Sequence, residues 1–355
     1  AIMSDVSLKE GNGAIRGAGK AIHPGAGRRK AVPFPKGRVL DPVDLETVAA
    51  LIGAPPYERA LLIEYLHKIQ DAEGCLPAGR LHALSDLMKL PMAEVYEVAT
   101  FYAHFDVVPD GAERPAATTV RVCDSLSCML AGAEQLIAAL QSEDMPNVRV
   151  VRAPCIGSCH TAPVCHVGHH HVDHANPEKV KELALDGHVH PEIPDYQTLG
   201  DYIESGGYNV LRGCLSGEIT VDDVIAKLSD GGLRGLGGAG FPTGRKWTFV
   251  RAEKGPRLMA VNGDEGEPGT FKDRHYLETR PHQFLEGMLI AAWAVEAEEV
   301  FIYMRDEYPA VIKILNDEIP QLHSAGLVPK TKISVRRGAG AYICGEESAM
   351  IESIE

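Results

Sequence analysis

The chain has 355 residues, 45% of them apolar and 24% charged, a globular composition worth two to three domains of ~100–200 residues. Its formal net charge of −14 excludes the basic footprint that nucleic-acid phosphates require. No stretch approaches the ~18 uninterrupted apolar residues of a membrane span, and the first residues lack the apolar core of a secretory signal, so a cytoplasmic location is expected.

Residues 1–40 hold eight Lys or Arg against two acids. With their glycines and few large apolar groups they read as a flexible basic arm, unable to bury enough surface to offset ordering entropy. Residues 41–110 predict a helical bundle. Leu61, Leu62, Tyr65, Leu66 and Ile69 recur at helical spacing, as do Val95, Val98, Ala99 and Tyr102, with Pro55, Gly74, Pro77 and Pro91 as punctuation. Over 116–190 the pattern becomes a small α/β domain, with strands expected at 118–122, 148–151 and 163–167 and helices at 131–140 and 177–185. The stretch 186–215, rich in His, Pro and Gly, reads as a linker, with its domain bounds drawn at 191–215. From 216 to 355 a larger α/β unit is expected, with helices at 221–228, 284–295 and 310–322 and strands at 257–261, 300–304 and 332–335. A last helical pattern runs into Glu355, which predicts that the intact protein continues.

Eight cysteines are too sparse for a disulfide scaffold, and in a reducing compartment grouped cysteines more often hold metal. Cys123 and Cys128 enclose four residues, Cys155 and Cys159 enclose three, and each pair follows a predicted strand, so both pairs fall at one sheet edge. Four thiolates on loops suit a 2Fe-2S cluster, whose two irons each need two sulfurs. Tetrahedral zinc is the main rival, although its tight C-x2-C knuckle is missing. Haem attachment at Cys159-His160 fails on spacing, and four unrelated buried thiols are the bland alternative. Cys165 reads as core; Cys75, Cys214 and Cys344 are isolated. His166, His169, His170, His171 and His174 read as a solvated strand end rather than a metal site, having no carboxylate or cysteine in defined register.

Gly235-Leu236-Gly237-Gly238-Ala239-Gly240 matches G-x-G-x-x-G, but it follows a helical run, and a dinucleotide fingerprint must follow a strand. What remains is that glycines let backbone amides approach an anion, with Arg245 and Lys246 downstream to pair with phosphate. An ordinary glycine-rich loop is the alternative. Asn262 through Gly269 leaves a strand at its C-terminal end, where open α/β sheets place ligands. Its acids and amide are acceptors suited to a ribityl or ribose chain, with a divalent cation as the second choice. The third loop, Gly338 through Ser348, again joins a strand to a helix. Three such loops argue for one large nucleotide-like ligand, or two stacked together.

The runs 233–247, 262–274 and 338–348 resemble the flavin- and NADH-binding subunit of respiratory complex I and its relatives. Cys123, Cys128, Cys155 and Cys159 resemble the thioredoxin-like 2Fe-2S subunit of the same assemblies. Both in one chain is similar to the fused diaphorase subunits of NAD-dependent molybdenum or tungsten formate dehydrogenases and of some NAD-reducing hydrogenases. The resemblance covers roughly 41–355. It implies an α/β multidomain chain: a helical bundle plus a thioredoxin-like 2Fe-2S domain, then an FMN/NADH-binding domain of non-classical Rossmann-like type.

It further implies that Gly235, Gly238, Lys246, Asn262, Asp264, Glu265 and Gly345 contact FMN. Phe241, Phe249, Glu267, Glu346 and Glu347 would line the place of NAD(H), and the four cysteines would hold the cluster. The family's 4Fe-4S motif would lie beyond Glu355. Leu236 stands where complex I relatives usually carry Arg, which favours the formate dehydrogenase branch and hence a molybdenum or tungsten catalytic subunit as partner. The implied chemistry is hydride exchange between NAD(H) and FMN, then single-electron passage through iron–sulfur centres. It requires no general base, and no catalytic acid–base residue is nominated. The rival readings are a diaphorase serving a hydrogenase or a membrane arm, and, in another class, a non-enzymatic iron–sulfur carrier or zinc-stabilised scaffold.

Overall fold

The computed structural model describes residues 39–236, 238–328 and 330–355; the basic arm expected over 1–40 lies outside them except for its last two positions. Pro42–Glu355 forms one unit. It begins with helices α1 (Pro42–Ile52), α2 (Leu62–Glu73), α3 (Ala78–Met88) and α4 (Met92–Phe101). In α2, Leu62, Tyr65, Leu66 and Ile69 share one buried face, and Gly74 ends the helix at a left-handed φ of 70°. Strands β1 (Leu76–Pro77) and β2 (Val107–Val108) pair in parallel beside these helices.

The second segment runs β3 (Thr118–Cys123), α5 (Leu126–Leu130), α6 (Ala133–Ser142), β4 (Val148–Ala153), β5 (Cys165–Val167), β6 (His170–Val172) and α7 (Pro177–Leu185). The sheet order is β4-β3-β5-β6. β3 and β4 are parallel, joined by the crossover helix α6, and the other pairs are antiparallel. Val120, Val122, Leu136, Ile137, Leu140, Val167 and Val180 fill the core between sheet and helices. The histidines are only in part the solvated strand end expected from sequence: His174 is exposed, whereas His166 and His170 are buried. His166 is covered across the β5–β6 hairpin, and His170 lies against the ring of His188 and the His190 carbonyl. His166 Nε2 lies 3.0 Å from His171 Nδ1, and His171 Nε2 lies 2.9 Å from an Asp173 oxygen.

The stretch 191–215, expected as a linker, carries α8 (Leu199–Glu204) and α9 (Asn209–Ser216). A capping box of Thr198 and Asp201 starts α8. Its high Gly and polar content hid these short helices, whose order comes from tertiary contact. The buried carboxylate of Glu286 accepts from the Tyr208 amide at 3.0 Å, the Leu211 amide at 3.3 Å and the Tyr202 hydroxyl at 2.7 Å.

The third segment holds α10 (Val221–Asp230), α11 (Thr243–Ala252), β7 (Leu258–Gly263), α12 (Lys272–Thr279), α13 (Pro281–Val295), β8 (Glu299–Met304), α14 (Pro309–Ser324), β9 (Lys332–Arg337) and α15 (Glu347–Ile354). Its sheet is fully parallel in the order β7-β8-β9. α13 starts on Pro281 and stops at Glu296, whose φ is 55°. Leu285, Met288, Leu289 and Ala292 on α13 join Val300 and Ile302 of β8 in the core. Each such leucine contributes about 1.5–3 kcal/mol by burial. Parallel pairing has one consequence for function: the loops after β7, β8 and β9 all leave the same edge of the sheet.

Candidate functional site

The register Cys123↔Ala153 between β3 and β4 brings Cys123 and the loop 154–159 to one edge. Cys128 sits on α5, and Cys155 and Cys159 flank a turn at Gly157, whose φ is 80°. Cys155 and Cys159 sulfurs are 3.6 Å apart, and the Gly157 amide donates to Cys155 at 3.4 Å. Cys123 interacts with the thiols of both Cys128 and Cys155. Those thiols, and then the amides of Ser125 and Ile156, hold its pKa far below the ordinary thiol value against the opposing effect of burial. Cys165 is different: with burial as the main cause and no such neighbours, its thiol is pushed up to about 12.

The four sulfurs thus form one group, with three cysteines buried and Cys159 partly exposed. The donor set fits a 2Fe-2S cluster, and amides already point at two of the sulfurs. The hydroxyl of Ser158, fully buried between Cys155 and Cys159 in sequence, has no protein partner.

The loops after β7 and β9 enclose a groove of ≈ 670 Å³ lined by Asn262, Asp264, Glu267, Tyr342, Gly345 and Glu346, with Leu236 and Glu265 also on its wall. That volume lies in the ~300–1,000 Å³ range of small-molecule sites. Asn262 fixes the two loops: its Nδ2 donates to the Gly345 carbonyl at 2.9 Å, and its Oδ1 accepts the Asp264 amide at 3.1 Å. Asp264 Oδ2 is buried without a partner, and burial raises this carboxyl to about 7. A Cβ on Gly345 would stand 3.3 Å from that same oxygen, so glycine keeps the approach open. An unspent acceptor at the wall of a groove is the feature a hydroxyl-bearing ligand satisfies.

The other acids have structural work. Glu265 accepts from the amides of Asp273 and Arg274 at the start of α12, and from the Tyr308 hydroxyl at 3.1 Å. Glu346 caps α15, accepting from the amides of Ser348 and Ala349 at 3.0 and 3.1 Å. Glu267 receives the Tyr342 hydroxyl across the groove.

Of the residues nominated from sequence, Asn262, Asp264, Glu265, Glu267, Gly345 and Glu346 are brought together around the groove. Gly235, Gly238, Lys246, Phe241, Phe249 and Glu347 are not on its wall. Phe241 and Phe249 instead face each other with ring centroids 6.2 Å apart, and the Arg245 guanidinium lies over both.

Sequence reasoning missed Tyr342 and Arg305. Tyr342 lies inside the third glycine-rich run, and its aromatic ring was the available signal. Arg305, buried at the end of β8, donates to the Glu265 carbonyl at 2.6 Å and to the Cys155 carbonyl, and no local pattern announces it. A smaller cavity of ≈ 270 Å³ connects the two centres, lined by Cys155 and Arg305 together with Asp264, Gly266 and Tyr342. The amide of Gly269 reaches the Cys159 sulfur from the groove side.

Comparison with known proteins defines the class first. Residues 228–355 match the Nuo51 FMN-binding domain, and residues 48–186 match the thioredoxin-like 2Fe-2S ferredoxin. The chain therefore joins a 2Fe-2S domain to an FMN-binding domain. Among individual relatives, it is 44% identical over 173 residues to a subunit of the NADH-quinone oxidoreductase of Rhizobium meliloti, covering 46% of this chain and 41% of that protein. It is 31% identical over 340 residues to the NAD-reducing hydrogenase HoxS subunit alpha of Cupriavidus necator, covering 84% of this chain and 56% of that one. A crystal structure of an air-oxidized NAD+-reducing NiFe hydrogenase superposes with a TM-score of 0.69 at 28% identity, over 84% of this chain and 56% of that chain. The chain spans about two fifths to just over half the length of these relatives. Among the described residues, no helix is long and apolar enough to cross a membrane.

Proposed function

We propose that this chain is a diaphorase module that exchanges hydride between NAD(H) and FMN and passes electrons onward through its 2Fe-2S centre, working in the cytoplasm. The observation carrying the reading is the shared wall: Asp264, Gly266 and Tyr342 line both the groove and the cavity that reaches Cys155. Bound FMN supplies two-electron acceptance and one-electron release, and the cluster supplies one-electron passage. The chain's residues position these groups. Asn262 holds the two groove loops together, and Asp264 offers its free oxygen to ribityl hydroxyls. The Tyr342–Glu267 pair forms one wall. Cys123, Cys128, Cys155 and Cys159 ligate iron, with the amides of Gly157 and Gly269 directed at sulfur. Phe241, Phe249 and Arg245, outside the groove, offer aromatic faces and a cation to the nicotinamide nucleotide.

Within this class, the partner we propose is the molybdenum or tungsten subunit of an NAD-dependent formate dehydrogenase, supported by Leu236 in place of Arg. A second reading, the diaphorase of an NAD-reducing hydrogenase, is favoured by the similarity to the HoxS subunit across 84% of the chain. Anaerobic titration of the purified chain with NADH, followed by paired optical and electron-spin spectra, tests the module. The expected result is bleaching of a flavin band followed by a reduced-cluster signal. A reconstituted protein that stays colourless, or ignores NADH, overturns it. Molybdenum or tungsten against nickel in the co-purifying subunit decides the partner.

A further inference from the structure

Away from the groove and the cysteines, two buried histidines are oriented as metal ligands are. His67, on α2, is 3% exposed and His104, after α4, is 7% exposed. His67 Nε2 lies 2.9 Å from the Gly338 carbonyl. A carbonyl only accepts, so Nε2 carries the proton and Nδ1 of the neutral ring keeps a bare lone pair. His104 Nδ1 lies 2.7 Å from Asp306 Oδ2, which leaves Nε2 as the bare nitrogen. Both left-over nitrogens are buried and without a partner. An imidazole whose far nitrogen is tied to a carbonyl or carboxylate is the arrangement in which proteins present histidine to a metal.

Asp71 stands one turn along α2 from His67, and the three side chains offer ligand atoms that all lie within 4.8 Å of one another. Arg337 bridges the two carboxylates, donating to Asp71 Oδ2 at 2.6 Å and to Asp306 Oδ1 at 2.5 Å. Its second contact with Asp71, to Oδ1, is looser at 3.4 Å. His169 Nε2, from the β5–β6 turn, is 3.9 Å from Asp71 Oδ1, and its ring stacks on that of His104. A cavity of ≈ 130 Å³ adjoins this group at His104, His169 and Asp306.

We propose that His67, His104 and Asp71 form a binding site for one divalent cation of imidazole-and-carboxylate preference, zinc, with His169 at hand for the fourth position. Two imidazoles and a carboxylate suit tetrahedral zinc. Its role is structural, because the site draws together α2, the loop after α4, the β5–β6 turn and, through Gly338 and Asp306, the edge of the flavin-domain sheet.

The test uses the full chain with its iron–sulfur and flavin groups in place, equilibrated with Zn2+ alone and passed over chelating resin before the metals are counted. The expected result is one zinc per chain beyond the cluster iron. Asp71→Asn and His104→Gln should each weaken zinc binding by ~10-fold or more. Asp71 is 42% exposed, so its replacement leaves the core filled, and circular dichroism checks the fold of both variants. Cobalt substituted for zinc should give a visible spectrum without a thiolate charge-transfer band. The proposal is overturned if the wild type retains no zinc, if both folded variants retain it as tightly, or if the cobalt spectrum carries the thiolate band that places the ion on cysteines.

Discussion

The amide of Gly269, in the loop after β7, donates to the sulfur of Cys159 at 3.1 Å. The loop that walls the groove therefore also contacts a cysteine of the proposed cluster site, 110 positions away in sequence. A hydrogen bond to a cluster sulfur favours the reduced, more negative state.

Gly269 has a φ of 95°, and a Cβ there meets nothing within 4 Å. Gly269→Ala is therefore expected to strain the backbone by about 1–2 kcal/mol and tilt the amide off the sulfur. The cluster midpoint should move to lower potential in a spectroscopic redox titration. An unchanged midpoint would mean that this amide does not tune the cluster.

Arg305 is 4% exposed and joins the carbonyls of Glu265 and Cys155 while pairing with Glu307. Arg305→Leu leaves two carbonyls and an acid without their donor, and should cost about 3 kcal/mol. The measurement is the urea midpoint at constant slope. Arg305→Lys, which keeps the charge but gathers its donors on one nitrogen, should recover part of the loss.

Cys165 and Cys155 give a contrast. Cys165→Ala removes a buried sulfur from the core and should cost about 1–2 kcal/mol with iron content unchanged. Cys155→Ser should abolish the cluster's electron-spin signal. Equal iron loss in the two variants would contradict the four-cysteine assignment.

Asp264 sets a pH dependence. Its folded pKa of about 7, raised by burial from an ordinary value of 3.8, means that the folded chain without ligand holds an extra proton between those values. Stability from this group is greatest below pH 3.8 and falls as pH rises to about 7. Asp264→Asn should remove that slope from a series of denaturation curves. Hydroxyls donating to the carboxylate favour its charged form, so FMN affinity should rise with pH through the same window; a flat or falling affinity would count against contact at Asp264.

Leu236 is 91% exposed at the groove wall. Leu236→Arg places a cation beside it, and the KM for NADH should fall several-fold at low salt, with the gain fading as ionic strength shortens the screening length to about 8–10 Å. A KM insensitive to the substitution at every salt concentration would separate this rim from the nucleotide.

What was readable in the sequence follows its local physics. β-branched runs marked β3, β4 and β8, and apolar periods marked α13 and α14. The acidic loop after β7 was visible because Asn262 follows directly on a strand pattern. α12 was invisible because Leu277 is its one buried residue among charged neighbours, so no 3.6-residue period exists to see. Arg305 was invisible for another reason: its acceptors are backbone carbonyls 40 and 150 positions away. Buried His166 and His170 escaped because their cover is His171 across the hairpin and His188 and His190 beyond it, rather than an apolar neighbour in the sequence.

The segment before α8 carries a last consequence. Tyr196 donates to Glu318 on α14 at 2.7 Å, Glu318 meets His282 at 3.0 Å, and His282 meets the Tyr208 hydroxyl at 2.9 Å. A stretch that looks like a tether is in fact a clasp on the flavin side. Anyone dividing the gene to express the halves separately should cut upstream of Tyr196, since a later start would strip off the clasp and strand an acid and an imidazole in a dry interior.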